Sequence, residues 1–144
     1  MPCRRGGGLK WAFQIDFNGS RPIFSYTMSQ SPASTNPAIK VTVPAVSLTT
    51  KANVYFDGKC VSHSFTLPDG SSKSVGVVLP ATLTFNTGAP EIMECVAGSC
   101  EYKLAGTDTW VPSSAGQSFK VPGQSSFEIR VSDAQGYHYI CHFG

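Results

Sequence analysis

The chain lacks any apolar run approaching the roughly 18 residues that a membrane-crossing helix needs, so no membrane span is expected. Arg4 and Arg5 open the N-terminus, but Gly6-Gly7-Gly8 follows in place of an apolar core, which argues against a secretory leader. Charge is scarce: Asp, Glu, Lys and Arg make up 14% of 144 residues. No segment holds a 3.6-residue apolar period, which excludes a long amphipathic helix. The five cysteines (Cys3, Cys60, Cys95, Cys100, Cys141) contain no C-x2-C pair and no Cys/His metal spacing. An odd count without such spacing fits reduced thiols and a cytoplasmic setting. Cys95 and Cys141 lie in strand-like runs and read as small core hydrophobes.

Turn formers are abundant, with 14 glycines and 10 prolines, beside 41% hydrophobic residues. The net charge of +2 is uneven. Up to Lys51, six bases (Arg4, Arg5, Lys10, Arg21, Lys40, Lys51) face Asp16 alone, for +5; beyond it five bases face eight acids, for −3. That mildly acidic body offers no basic face, so a nucleic-acid partner is not expected. Residues 28–52 are rich in Ser, Thr, Pro and Ala and cannot fill a core. Residues 1–51 therefore read as an N-terminal extension, disordered or upstream of a true start at Met28, and 52–144 as the folded domain.

Within that domain strands recur about every ten residues. Val54-Tyr55-Phe56 precedes the Asp57-Gly58 turn. Cys60 to Leu67 alternates, with Val61, His63, Phe65 and Leu67 on one face and serines and threonine on the other. Pro68-Asp69-Gly70 turns into Lys73–Leu79. Further runs cover Ala81–Asn86, Glu91–Val96, Cys100–Leu104, Thr109–Val111, Gln117–Val121, Phe127–Val131 and Tyr137–Phe143. The expected fold is all-β, an antiparallel sandwich or barrel.

Two spaced motifs stand out: Gly76-x5-Thr82-x-Thr84-x6-Glu91-x6-Gly98, and Gly116-x5-Pro122-x4-Phe127. They resemble the paired signature of the cupin jelly-roll barrel, with Thr82, Thr84 and Phe127 where three metal-binding histidines would stand. The resemblance implies a single antiparallel cupin-like jelly-roll barrel with no metal. Thr82 and Thr84 share a face; so do Glu91, Met93 and Cys95, and Phe127, Ile129 and Val131. In a cupin frame these faces point inward, with Thr84, Glu91 and Phe127 converging on one cavity and Phe85 facing outward, where it would suit a subunit contact. A carboxylate there is either a turn cap after Pro90 or a partner for a polar ligand.

The ordered set is narrower than cupin. Asn53-Val-Tyr-Phe-Asp-Gly-Lys59, Ser74-Val-Gly-Val-Val78, Thr84-Phe-Asn-Thr87, Pro90-Glu91-x-Met93, Trp110, Phe119-x-Val121-Pro122-Gly123 and Tyr139-x-Cys141 resemble the small bacterial pyrimidine/purine nucleoside phosphorylase family over about residues 52–144. The resemblance implies a homodimer that cleaves nucleosides with inorganic phosphate, releasing free base and pentose 1-phosphate. Its substrate class would be adenosine, guanosine, inosine, cytidine, uridine, thymidine and xanthosine, with no other cofactor.

On that reading Glu91 is the catalytic carboxylate, facing the ribose hydroxyls or the positive charge that develops on the sugar. Ser74, Thr82 and Thr84 donate to phosphate or ribose, Met93 lines the site, and Phe127 or Tyr139 stacks on the base. His142 is counted with the substrate-binding residues; it stands where some relatives carry arginine, and if that arginine holds phosphate, histidine would do so more weakly and only when protonated. A non-catalytic cupin that binds a nucleoside-like ligand is the alternative, and a metal-dependent cupin is disfavoured by the missing histidines.

Overall fold

The computed structural model describes residues 39–144. The expectations for residues 1–38, the Met28 start included, lie outside the described residues. Eleven strands run in chain order: β1 Ser47–Leu48, β2 Asn53–Tyr55, β3 Cys60–Thr66, β4 Ser72–Val78, β5 Ala81–Thr87, β6 Glu91–Ala97, β7 Ser99–Leu104, β8 Val111–Ser114, β9 Ser118–Val121, β10 Ser125–Val131 and β11 Tyr137–Phe143. The only helical turn among the described residues is the short 3-10 segment Phe56–Gly58.

The strands form two antiparallel sheets rather than one closed barrel. A seven-stranded sheet runs β1-β3-β4-β11-β6-β9, with β2 also paired to β3; a four-stranded sheet runs β5-β10-β7-β8. Among the described residues sheet pairing starts at Ser47, which pairs with Thr66. The amide of Ile39 also donates to the Val96 carbonyl at 2.8 Å.

Turn chemistry follows the sequence. Gly98 reverses the chain at φ +73°, with the Gly136 carbonyl packed against it where a Cβ would stand, so no larger residue fits. Pro112 falls in β8, an edge strand, where a missing amide costs no ladder bond.

The core lies between the sheets. Ile129, Tyr137, Val78, Val121, Cys60 and Cys95 are the largest fully buried side chains. Phe119 stacks on Tyr102 with centroids 3.8 Å apart and meets Phe127 edge-on at 5.7 Å. Burial holds the Cys95 thiol up at about 11 and the Cys100 thiol at about 12, so both stay protonated and serve as packing groups.

Candidate active site

The strand period decides which side chains reach the space between the sheets. On β10, Phe127 and Ile129 point inward and are 3% and 0% exposed. Their cross-strand partners on β5 are Phe85 and Leu83, which therefore point inward too. Thr84 and Thr82 pair with Glu128 and Arg130 on the opposite face and are exposed. The inward placement expected for both threonines is thus wrong by one residue of register. Thr84 lines a separate outer groove of about 380 Å³ beside Lys103 and Glu128. Phe85, expected outside, instead stacks on Phe127 at 5.4 Å.

Between the sheets lies a cavity of about 170 Å³. One wall is aromatic and aliphatic: Phe85, Phe127 and Ile129 of the four-stranded sheet. The other is polar and comes from the seven-stranded sheet: Ser62 on β3, Ser74 on β4, Glu91 and Met93 on β6, and Tyr139 and Cys141 on β11. Ser74, Glu91, Met93, Phe127 and Tyr139 all line this cavity. Glu91 and Phe127 share the cavity, but Thr84 does not join them. Ser62 and Ser74 supply the hydroxyls instead.

His142 also falls outside. It alternates away from Cys141 and lies 2.8 Å from the Glu94 carboxylate on the outer face of the sheet. A phosphate contact for His142 within the cavity is therefore corrected by the same period-2 geometry.

Tyr139 owes its position to Gly76. A Cβ at Gly76 would lie 2.8 Å from the Tyr139 hydroxyl and 2.7 Å from the Val61 carbonyl oxygen. Without that Cβ the phenol crosses β4, with its oxygen 3.5 Å from the Cys60 sulfur. Asn53 donates to Ser64 at 3.2 Å and to Ser62 at 3.5 Å. A bulge between His138 and Tyr139 shifts the β11–β6 register at this point. Burial, and next the neighbouring Cys60, push the Tyr139 phenol above its ordinary pKa, so it is a neutral donor at physiological pH.

Among the described residues, Glu91 is the one charged side chain lining the cavity. Burial raises its pKa above the ordinary carboxylate range, and a thiol hydrogen bond from Cys141, 3.7 Å away, partly opposes this. The Cys141 thiol is itself pushed up by burial and by the adjacent carboxylate.

Sequence reading missed Tyr55, Ser62, Phe85, Asn86, Cys141 and Phe143 as lining residues. Tyr55 and Cys141 lay inside recognised motifs, so the signal was present. Ser62 was hidden because serines on an alternating strand read as the solvent face. Tyr55 leads into Phe56 and Asp57, both non-glycine residues at positive φ of 51° and 53°. Such conformations cost on the order of 1–3 kcal/mol each and persist where surroundings enforce them. Here the Phe56 ring meets Phe85 edge-on at 5.1 Å.

The donor set does not fit a metal. Among the described residues no group of three or more His, Cys, Asp or Glu side chains is placed to hold one, and the cavity offers one carboxylate, one thiol and hydroxyls.

The family model for pyrimidine/purine nucleoside phosphorylase matches residues 50–143. This chain belongs to the pyrimidine/purine nucleoside phosphorylase family. Relatives bearing that name include one from Ralstonia pickettii, 74% identical over 102 residues, covering 71% of this chain and 95% of the relative. Another from Polaromonas sp. (strain JS666) is 72% identical over 100 residues, covering 69% and 93%. Among solved structures, a protein of unknown function from Acinetobacter sp. ADP1 is 41% identical, with a TM-score of 0.69 over 72% of this chain and 98% of that one. An RmlC-like cupin from Shewanella frigidimarina superposes with a TM-score of 0.51 at 15% identity, over 65% of this chain and 82% of its own, a likeness of fold alone. This chain thus has a cupin-like frame, built as two sheets. Among the described residues, no helix is long and apolar enough to cross a membrane.

Proposed function

We propose that the protein cleaves purine and pyrimidine nucleosides with inorganic phosphate, with broad base range and as a cytoplasmic homodimer. Adenosine, guanosine, inosine, cytidine, uridine, thymidine and xanthosine form the substrate class. The observation that carries the reading is the divided cavity of a phosphorylase-family chain: hydroxyls and one carboxylate on one wall, aromatic rings on the other.

In the reaction a phosphate oxygen forms a bond to the anomeric carbon as the carbon–nitrogen bond to the base breaks. The bonding pair leaves with the base, and the proton that phosphate brings ends on the base nitrogen. The sugar passes through an oxocarbenium-like state. The Glu91 carboxylate faces that developing positive charge, and the Ser62, Ser74 and Tyr139 hydroxyls hold the pentose. Positioning of this kind supplies several kcal/mol of the barrier without a metal.

Incubation with inosine or uridine plus phosphate, with free base read by chromatography and a phosphate-free control, tests the activity. Glu91→Gln is expected to lower kcat by about 100-fold, within the range for a group acting on transition-state charge. Because the folded pKa of Glu91 is raised, its protonated form is favoured in the folded state. The stability it contributes is present below the ordinary glutamate pKa and lost as pH rises through the raised value. Activity carried by the carboxylate rises over that same window. Glu91→Gln should therefore melt higher than the wild type at neutral pH while losing turnover; full turnover would remove Glu91 from the mechanism.

One observation favours a second reading, a binding protein without turnover: among the described residues, no Lys, Arg or His lines the cavity to hold phosphate. Inosine binding with no base released on adding phosphate would decide for it.

A further inference from the structure

The rings assigned to the base from sequence have their neighbours already. Phe127 carries Phe85 against one side and meets Phe119 edge-on. Tyr139 stacks beside Tyr137, with centroids 6.1 Å apart. Neither offers a free face of the size a base needs. The cavity is also small: about 170 Å³, against roughly 300 Å³ or more for ordinary small-molecule pockets. The enclosed part has room for a fragment of a nucleoside, and the remainder must rest at the opening.

Two aromatic lining residues combine cavity contact with substantial exposure, Tyr55 at 46% and Phe143 at 40%; Asn86 is exposed there too. Phe143 pairs in register with Glu91 across β11 and β6. Tyr55 pairs with Cys60, whose sulfur is beside the Tyr139 hydroxyl. Each exposed ring is therefore next to one of the polar groups that face the pentose. Tyr55 is carried on the arm whose strained turn is fixed by Phe56 against Phe85.

We propose that Tyr55 and Phe143 form the base-holding element, an aromatic rim at the opening, while the pentose occupies the hydroxyl-lined interior. This rests on the nucleoside reading above and adds to it the residues that set base tolerance. A ring face contacts any base without reading its edge, so purines and pyrimidines are held alike. Exposed rings are also poor contributors to the core, so the fold does not account for both being aromatic at this position.

The test uses the full chain with Tyr55→Ala, Phe143→Ala and the conservative pair Tyr55→Phe and Phe143→Tyr. Phosphorolysis of inosine and of uridine is followed, and inosine binding is titrated by calorimetry in phosphate-free buffer. Each alanine variant is expected to raise KM and the inosine Kd by roughly tenfold, the effect of losing one base–ring stack. The rise should be similar for both nucleosides, with kcat and Tm little changed, and the conservative variants should keep wild-type values. If both alanine variants keep wild-type KM and Kd, or the loss is confined to one base, the rim is overturned. If the wild type binds inosine without releasing base, and the alanine variants lose that binding, the phosphorylase reading fails and the rim stands. A wild type that neither binds nor cleaves nucleosides overturns both.

Discussion

The two sheets treat polarity in opposite ways. The four-stranded sheet turns Leu83, Phe85, Phe127 and Ile129 inward and carries its charges outside, as the Lys103–Glu128 and Arg130–Glu101 pairs. The seven-stranded sheet turns Ser62, Ser74, Gly76 and Tyr139 inward and leaves Val61, Val75, Val77 and Ile92 on its outer face, Val75 being 43% exposed. One sheet follows the usual partition of a half-buried surface; the other departs from it where the cavity is. Both sheets fill the core, Ile129 from the first and Tyr137, Val78 and Val121 from the second, but the hydroxyls and the carboxylate at the cavity come from the second alone.

The sharpest way to break this contrast is to delete one side chain from each wall. Phe127→Ala removes a buried ring packed on Phe85 and Phe119 and should cost about 3–5 kcal/mol. Ser74→Ala removes a hydroxyl at the cavity and should cost about 1 kcal/mol or less, yet raise KM for inosine. Paired thermal melts and kinetics check both. Equal losses of stability would erase the distinction between the walls.

Gly76→Ala tests how the polar wall is built. Its methyl would meet Ser62 and the Tyr139 hydroxyl at 2.8 Å and the Val61 carbonyl at 2.7 Å. Overpacking of this kind costs about 1–3 kcal/mol. Tyr139→Phe deletes one of the three atoms in conflict, so the double variant should recover part of that loss. A double-mutant cycle in urea measures the coupling, and additivity within error would show that the phenol does not cross over Gly76.

The same contrast explains what the sequence could and could not reveal. Turn residues and alternating runs placed β3 to β7 and β9 to β11 within a residue or two, because those signals are local. Whether the sheets close into a barrel depends on strand order, which no local pattern carries. On β3 the alternation Val61-Ser62-His63-Ser64-Phe65 is plain, but polarity points to the wrong face as inward. On β5 the motif count put Thr82 and Thr84 inside, whereas pairing with Phe127 and Ile129 forces Leu83 and Phe85 there. Glu91, Ser74, Met93 and Tyr139 were legible because a motif fixed them individually. Ser62, Phe143 and the role of Gly76 emerge only once β3, β4 and β11 lie side by side.

The mildest test falls on the outside of the four-stranded sheet. Arg130 donates through two nitrogens, at 2.9 and 2.8 Å, to one Glu101 oxygen. Trp110 lies over the guanidinium at 4.4 Å. Both partners of the pair are more than two-fifths exposed, at 44% and 43%, so water and salt screen the attraction. Such a pair contributes under about 1 kcal/mol. Glu101→Gln should lower Tm by a few degrees at most in dilute buffer, and by less at 1 M salt, where the screening length is roughly 3 Å. Turnover should not change, because Arg130 and Glu101 lie on the face turned away from the cavity. A loss of turnover without a loss of stability would place part of the chemistry on the outer groove beside Thr84 and Lys103, and the assignment of the site to the inner face of the seven-stranded sheet would have to be redrawn.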